Sequence, residues 1–176
     1  MSSLTREVIV EALGLLADRL RPDEPRVDLI IVGGATMVLL FGARDSTKDV
    51  DAFHVDPKAT SRVAAAAASV AMALDLPSDW LNDAAKGYVH GLSLGPVLLD
   101  TPTLQVRTLS VMQLLAMKLS AWRDDLDVDD ARRLLKECRG ARVDVWREVE
   151  PYVVPGRELK ARDAFDDLWE SEHGPA

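Results

Sequence analysis

Val27-Asp28-Leu29-Ile30-Ile31-Val32-Gly33-Gly34-Ala35, followed from residue 44 by Arg44-Asp45-Ser46-Thr47-Lys48-Asp49-Val50-Asp51, is the stretch on which the fold turns. Val27 to Val32 is a short apolar run rich in branched residues that stops at two glycines, the pattern of a buried strand. Ala35 to Phe41 reads as a short helix closed by Gly42. Asp49 to Val55 reads as a second strand. Alternation along it sends Asp49 and Asp51 the same way, about 7 Å apart, with Val50 and Ala52 on the opposite face.

Two carboxylates at that spacing can share one or two divalent cations. The all-oxygen donor set suits Mg²⁺ (or Mn²⁺), which keeps water and substrate phosphates in its shell. The double glycine contributes a backbone without Cβ that a phosphate can approach, and the helix after it presents free N–H groups to an anion. An Asp-x-Asp alone is usually a solvated strand edge or turn, and a Gly-Gly alone usually just a turn. Strand, Gly-Gly, short helix and acidic strand in that order within about 20 residues make a coherent nucleotide site.

Outward from this stretch, the N-terminal segment reads as an amphipathic helix. Ser2 and Ser3 are its caps, Val8, Leu13, Leu15, Leu16 and Leu20 its apolar stripe, and Pro22 and Pro25 its end. Pro57 opens a helix that runs through the alanines to about Leu74. Pro77 to Ala85 is expected to be a loop with a short helical turn. Val97–Leu99 and Leu104–Arg107 read as strands joined by a turn at Asp100–Pro102. Helical patterns follow over about Ser110–Trp122, Asp127–Cys138, Val143–Val149 and Arg157–Trp169. The whole reads as an α+β chain with a small mixed sheet flanked by helices. Residues 1–109 form the core with its N-terminal helix, and 110–176 form a helical part packed on it.

Ile31-Val32-Gly33-Gly34-Ala35 with Arg44-x-Ser46-Thr47-x-Asp49-Val50-Asp51 resembles the signature of the DNA polymerase β-type nucleotidyltransferase superfamily, and its wording is most similar to the AbiEii-like nucleotidyltransferases. The resemblance is strong over Val27 to Val55 and looser over Pro77 to Ala85 and Leu114 to Leu135. It implies that Gly33 and Gly34, with Arg44 and Thr47, bind a triphosphate, and that Asp49 and Asp51 hold the metals. Leu115-Ala116-Met117-Lys118-Leu119-Ser120-Ala121-Trp122-Arg123 is similar to a helical motif of that family. Its lysine maps to Lys118 and the carboxylate that follows to Asp127 or Asp130. The strand position that carries a third carboxylate in many relatives reads Leu104-Gln105-Val106-Arg107 here, and Gln105 can be neither base nor strong metal ligand. Asp127, or the metal alone, would then activate the acceptor.

Each of these residues also has a structural reading. On the helix from Ser110, Lys118 falls with Val111, Leu115 and Trp122 on the apolar side, whereas Gln113 and Ser120 lie on a polar side. A buried lysine needs an anion, which Asp49, Asp51 or a bound triphosphate can supply, or it snorkels to water. Asp127 can cap a helix, with Asp130 completing the turn. Thr47 can simply form a turn, and Arg44 and Arg123 can pair with Asp45, Asp124 or Asp125. His54, His90 and His173 lack ligand spacing, and Cys138, with Leu134 and Leu135, reads as core. Of the four tryptophans, Trp80 alone lies in a polar loop where it can stack on a base.

Composition sets the outer bounds. An apolar fraction of 48% excludes disorder as the main state, and a lone cysteine excludes a disulfide framework or a thiolate metal site. A net charge of -8 argues against a purely electrostatic nucleic-acid binder, although Arg132, Arg133, Lys136, Arg139 and Arg142 can form a local basic stripe. The run from Leu29 to Ala43 is too short for a membrane span, and no signal peptide is read at Met1 to Glu7, so a cytoplasmic location is expected. The resemblance implies an enzyme that moves an NMP from an NTP to an acceptor hydroxyl. It also implies a tRNA acceptor and a role as the toxin of a toxin–antitoxin pair with a cognate antitoxin. The alternatives are transfer to a small cationic molecule or a protein hydroxyl, and a binding module that retains the fold without catalysis.

Overall fold

A computed structural model describes residues 3–174. The chain divides into two units, one made of the chain up to Lys86 together with Gly95–Thr108, the other of Gly87–Leu94 together with the chain from Leu109 onward.

The first unit is α+β. It contains β1 (Leu4–Thr5), α1 (Arg6–Arg19), β2 (Val27–Val32), α2 (Gly33–Thr36, widening into a π turn over Met37–Phe41), β3 (Ser46–Thr47), β4 (Val50–His54), α3 (Thr60–Leu74) and β5 (Leu81–Asn82). The sheet is completed by β6 (Leu94–Asp100) and β7 (Leu104–Leu109), giving the strand order β5-β4-β2-β7-β6. It is mixed: β2 runs antiparallel to β4 and parallel to β7, and β4 runs parallel to β5. A separate two-stranded ladder joins β1 to β3, with Leu4 opposite Thr47.

The alternation expected for β2 and β4 sorts the residues. Leu29, Ile31, Val50, Ala52, Leu104 and Val106 enter one core with Ile9, Leu13 and Leu16 of α1 and with Val63, Ala67 and Val70 of α3. Asp28, Ile30, Val32, Asp51, Phe53, Gln105 and Arg107 therefore share the other face. On α1 the buried stripe is Ile9, Ala12, Leu13, Leu16 and Ala17, with Val8 and Leu15 only partly buried. The cap of α1 is Thr5, whose hydroxyl accepts from Val8 N–H. Ser3 instead hydrogen-bonds Ser46, and Ser2 lies outside the described residues.

Two further sequence expectations change in this unit. The segment after Pro77 holds a short strand, β5, because Val50 N–H donates to Trp80 C=O (2.6 Å) and draws the chain alongside β4. Trp80 is fully buried and its Nε1–H donates to Ala67 C=O at 3.0 Å, so it anchors α3 and offers no stacking surface.

The second unit is helical: α4 (Val111–Ala121), α5 (Asp125–Leu135), α6 (Arg142–Val149) and α7 (Glu158–His173). Ser110 caps α4 and Asp124 caps α5. The polar side expected on α4 is buried. Gln113 donates to the carbonyls of His90 and Gly91 (3.0 Å each) and accepts from Ser93 N–H (2.6 Å), while Ser120 Oγ accepts from Val154 N–H (3.2 Å). These bonds pin the 87–94 segment and the α6–α7 connection to α4, which is why two polar residues tolerate full burial. Cys138 donates weakly to Leu134 C=O and meets Met112 Sδ at 3.7 Å. Among the described residues no helix is long and apolar enough to cross a membrane.

Candidate active site

The site is built where β2 stops. Val32 pairs with Asp51, so the turn that follows Val32 lands beside the acidic strand. Gly33 takes the left-handed conformation (φ 67°), which glycine adopts without a steric penalty. A Cβ there would stand 2.8 Å from Asp51 Oδ2. At Gly34 a Cβ would overlap Thr47 Oγ1 outright and stand 3.2 Å from Thr47 Cβ and 3.3 Å from Arg44 Nη1. Both glycines are therefore required by close approach, and what approaches them is Asp51, Thr47 and Arg44.

The two carboxylates are fastened by one short segment, Leu81 to Ala85. Asn82, opposite Asp51 in the β4–β5 ladder, donates Nδ2–H to Asp49 Oδ2 at 3.1 Å and to Asp79 C=O at 3.2 Å. Its Oδ1 accepts from Ala84 N–H at 2.9 Å, and this tight turn delivers Ala85 N–H to Asp51 Oδ1 at 3.1 Å. Asp49 itself precedes β4, whose first residue is Val50. The looser resemblance over Pro77 to Ala85 covers Asn82 and Ala85 but assigns them no role, since nothing near Leu81 in sequence announces that its neighbour meets residue 49. His54 alternates onto the opposite face from Asp51 and hydrogen-bonds Thr60 Oγ1 at 2.7 Å.

Asp49 and Asp51 are the residues here that can hold a divalent cation. Both half-buried carboxylates offer oxygen only, and the missing Cβ at Gly33 leaves Asp51 Oδ2 facing backbone rather than a side chain. That donor set fits Mg²⁺ or Mn²⁺ when a substrate supplies the remaining oxygens. Among the described residues no group of three or more His, Cys, Asp or Glu side chains comes together as a protein-only metal site.

The other candidates, Lys118 and Asp127, belong to the second unit and form a charged cluster there. The Lys118 ammonium is paired with Asp127 (3.0 Å) and Asp130 (2.7 Å). The side chains of both aspartates are 2% exposed and that of Lys118 is 13% exposed. Arg123 donates from its backbone N–H and its Nε–H to Asp127 Oδ2 at 3.1 and 3.0 Å. Burial pushes the Asp127 carboxyl up. The Arg123 hydrogen bond, the Lys118 ammonium and the Arg123 amide outweigh burial and bring it down to about 2. A carboxylate that acidic is a poor proton acceptor near neutral pH, where an effective base has a pKa close to the operating pH. Asp127 is also not the cap of α5, since Asp124 accepts from the Asp127 amide at 3.0 Å.

The basic stripe expected in the C-terminal part does not face solvent unopposed. Arg132 pairs with Asp129 and Glu172, Arg133 with Glu137, Lys136 with Glu172, and Arg142 with Asp166 and Glu170. α7 supplies most of these partners, so distant acids, together with Asp129 and Glu137, offset four of the five basic residues.

The structure therefore offers one candidate site, a glycine turn closed on an acidic strand of a small mixed sheet. Residues 10–142 match the family model described as "Nucleotidyltransferase of unknown function (DUF6036)", and the chain belongs to that family. The match reaches nucleotidyltransferases broadly and does not extend to the AbiEii-like subdivision. Comparisons with curated proteins and with solved structures found no match.

Proposed function

We propose that the protein transfers an NMP from an NTP to an acceptor hydroxyl, in a reaction that requires Mg²⁺ or Mn²⁺. The packing of Gly33 and Gly34 against Asp51, Thr47 and Arg44 carries this reading, because it gathers a carboxylate, a hydroxyl and a guanidinium around one glycine turn. The turn lets triphosphate oxygens reach main-chain N–H groups, and the Arg44 guanidinium and Thr47 hydroxyl take further oxygens. Asp49 and Asp51 would hold the cation, which lowers the proton affinity of the attacking hydroxyl and offsets charge on the leaving pyrophosphate. Asn82 and the Ala85 amide keep the two carboxylates in place before substrate arrives. Such preorganisation is where phosphoryl-transfer sites gain most of their rate.

The same proposal takes tRNA as the acceptor, a cognate antitoxin as the protein partner and the cytoplasm as the location. It rests there on the AbiEii-like wording of the motifs. A second reading, transfer to a cationic small molecule or a protein hydroxyl, is favoured by the net charge of -8 and by the ion-paired basic run. The test is calorimetric titration of the four NTPs with Mg²⁺, alongside labelling of total tRNA and of cationic antibiotics with α-labelled NTPs. Binding and labelling are expected in the native protein, with at least a hundredfold loss of labelling in Asp49→Asn and Asp51→Asn. Equal labelling by either variant would overturn the reading. For Lys118 and Asp127 the assay is NTP affinity in Lys118→Met. Loss of affinity assigns the ammonium to phosphate, and unchanged affinity leaves the cluster the role of holding α4 to α5.

A further inference from the structure

Arg107 stands on the sheet face that carries Asp51. Ile30 of β2 pairs with Phe53 of β4 on one side and with Arg107 of β7 on the other, and Val32, two residues further, pairs with Asp51. Residues opposite one another in a ladder share a face. Strand spacing and the two-residue offset put the Cα atoms of Arg107 and Asp51 about 12 Å apart, with Ile30 and Val32 between them. Arg107 is half-buried, and its Nε–H is shut off from water with no acceptor among the described residues.

A buried donor on a permanently charged group is costly to leave unmade, and a guanidinium more so than a neutral amide. Every other described side-chain N or O atom that is shielded in this way has found a partner. The exception sits on the face where the carboxylate pair and the glycine turn meet. An arginine so placed matches an anionic oxygen brought by a ligand, and its planar fork fits phosphate in a two-pronged manner that an ammonium cannot copy.

We propose that Arg107 is an anion ligand that takes a phosphate oxygen of the molecule bound over the Asp51 face. The proposal deepens the nucleotide-transfer reading and rests on it for the identity of that molecule. The phosphate has two sources, the NTP or a phosphate-bearing acceptor. The second would exclude the cationic acceptor.

The experiment uses the full chain as wild type, Arg107→Gln and Arg107→Lys. Melting temperature is recorded without ligand, and affinity is measured for inorganic tripolyphosphate without metal, for the four NTPs with Mg²⁺, and for total tRNA. Arg107→Gln is expected to melt at or above wild type without ligand and to lose at least tenfold in affinity for one or more of these probes. Arg107→Lys, which keeps the charge without the fork, falls between. Loss for tripolyphosphate and NTP names the nucleotide as the source, and loss for tRNA with NTP affinity intact names the acceptor. Unchanged affinity for all three probes in both variants overturns the proposal, as does a lowered ligand-free melting temperature with unchanged affinities, which marks a structural arginine. If tripolyphosphate binds through Arg107 while no acceptor is labelled and Asp51→Asn changes nothing, the anion site stands and nucleotide transfer falls.

Discussion

Replacing Gly34 by alanine tests the contact on which the site is built. The Gly34 backbone lies outside the left-handed region, so alanine is conformationally welcome there. In a helical turn it would by itself stabilise by about 0.5–1 kcal/mol. Space decides otherwise. The new methyl would overlap Thr47 Oγ1 and press on Thr47 Cβ at 3.2 Å. Thr47 is buried and β-branched, and it is paired with Leu4 in the β1–β3 ladder, so it cannot swing aside. Arg44, the third neighbour, approaches with the far end of a flexible side chain and can move. Overpacking of this kind costs about 1–3 kcal/mol. Set against the propensity gain this leaves a net cost of about 1 kcal/mol, and at about 2–4 °C per kcal/mol for a chain of this size Gly34→Ala is expected to lower the melting temperature by roughly 2–5 °C. Thr47→Ala alone forfeits about 1 kcal/mol of methyl burial. In that background the Oγ1 overlap is gone and only the 3.2 Å contact with the residue-47 Cβ remains, so Gly34→Ala becomes close to neutral. A double-mutant cycle by urea unfolding is expected to show a coupling of about 1 kcal/mol. Equal destabilisation by Gly34→Ala in both backgrounds would refute the packing of the turn against Thr47, and with it the geometry assigned to the phosphate site.

Three further outcomes follow from the same packing. Asp127 titrates at about 2 in the folded chain against an ordinary 3.8, so its ionised form contributes stability above pH ~4 that drains as pH falls toward 2. The amount is roughly 2 kcal/mol, and thermal melts of wild type and Asp127→Asn should differ at pH 6 and converge near pH 2; parallel acid limbs would sink this. Burial beside Glu148 and Glu137 pushes the Cys138 thiol up to about 12, so iodoacetamide at pH 8 should leave the native protein unmodified and alkylate it in urea. Rapid native alkylation would contradict the buried setting. Trp80→Phe loses the indole hydrogen bond to Ala67 C=O and leaves a gap in a fully buried site, and should cost about 1–3 kcal/mol in urea unfolding without changing the secondary-structure content. A variant as stable as wild type would show that Trp80 does not anchor α3.

Much of the fold is legible in local pattern, because strand and helix periods are imposed by the backbone one residue at a time. Val27–Val32 stops at its glycines, the α3 helix follows Pro57, and Asp51 alternates away from Val50 and Ala52, all without knowledge of any partner. The candidate site is half legible in the same way: Gly33, Gly34 and Asp51 are visible, and their meeting follows once β2 and β4 pair. The tertiary structure alone decided who meets whom. It brought Asn82 to Asp49 across 33 residues, seated Thr47 under Gly34, gave Lys118 to Asp127 and Asp130, turned the acids of α7 onto the basic run, and buried Trp80. At none of these positions does the local sequence name the partner. A side chain's partner depends on strand register and helix placement, which the whole chain settles together, whereas its own φ/ψ preference and hydrophobicity are carried in its few neighbours.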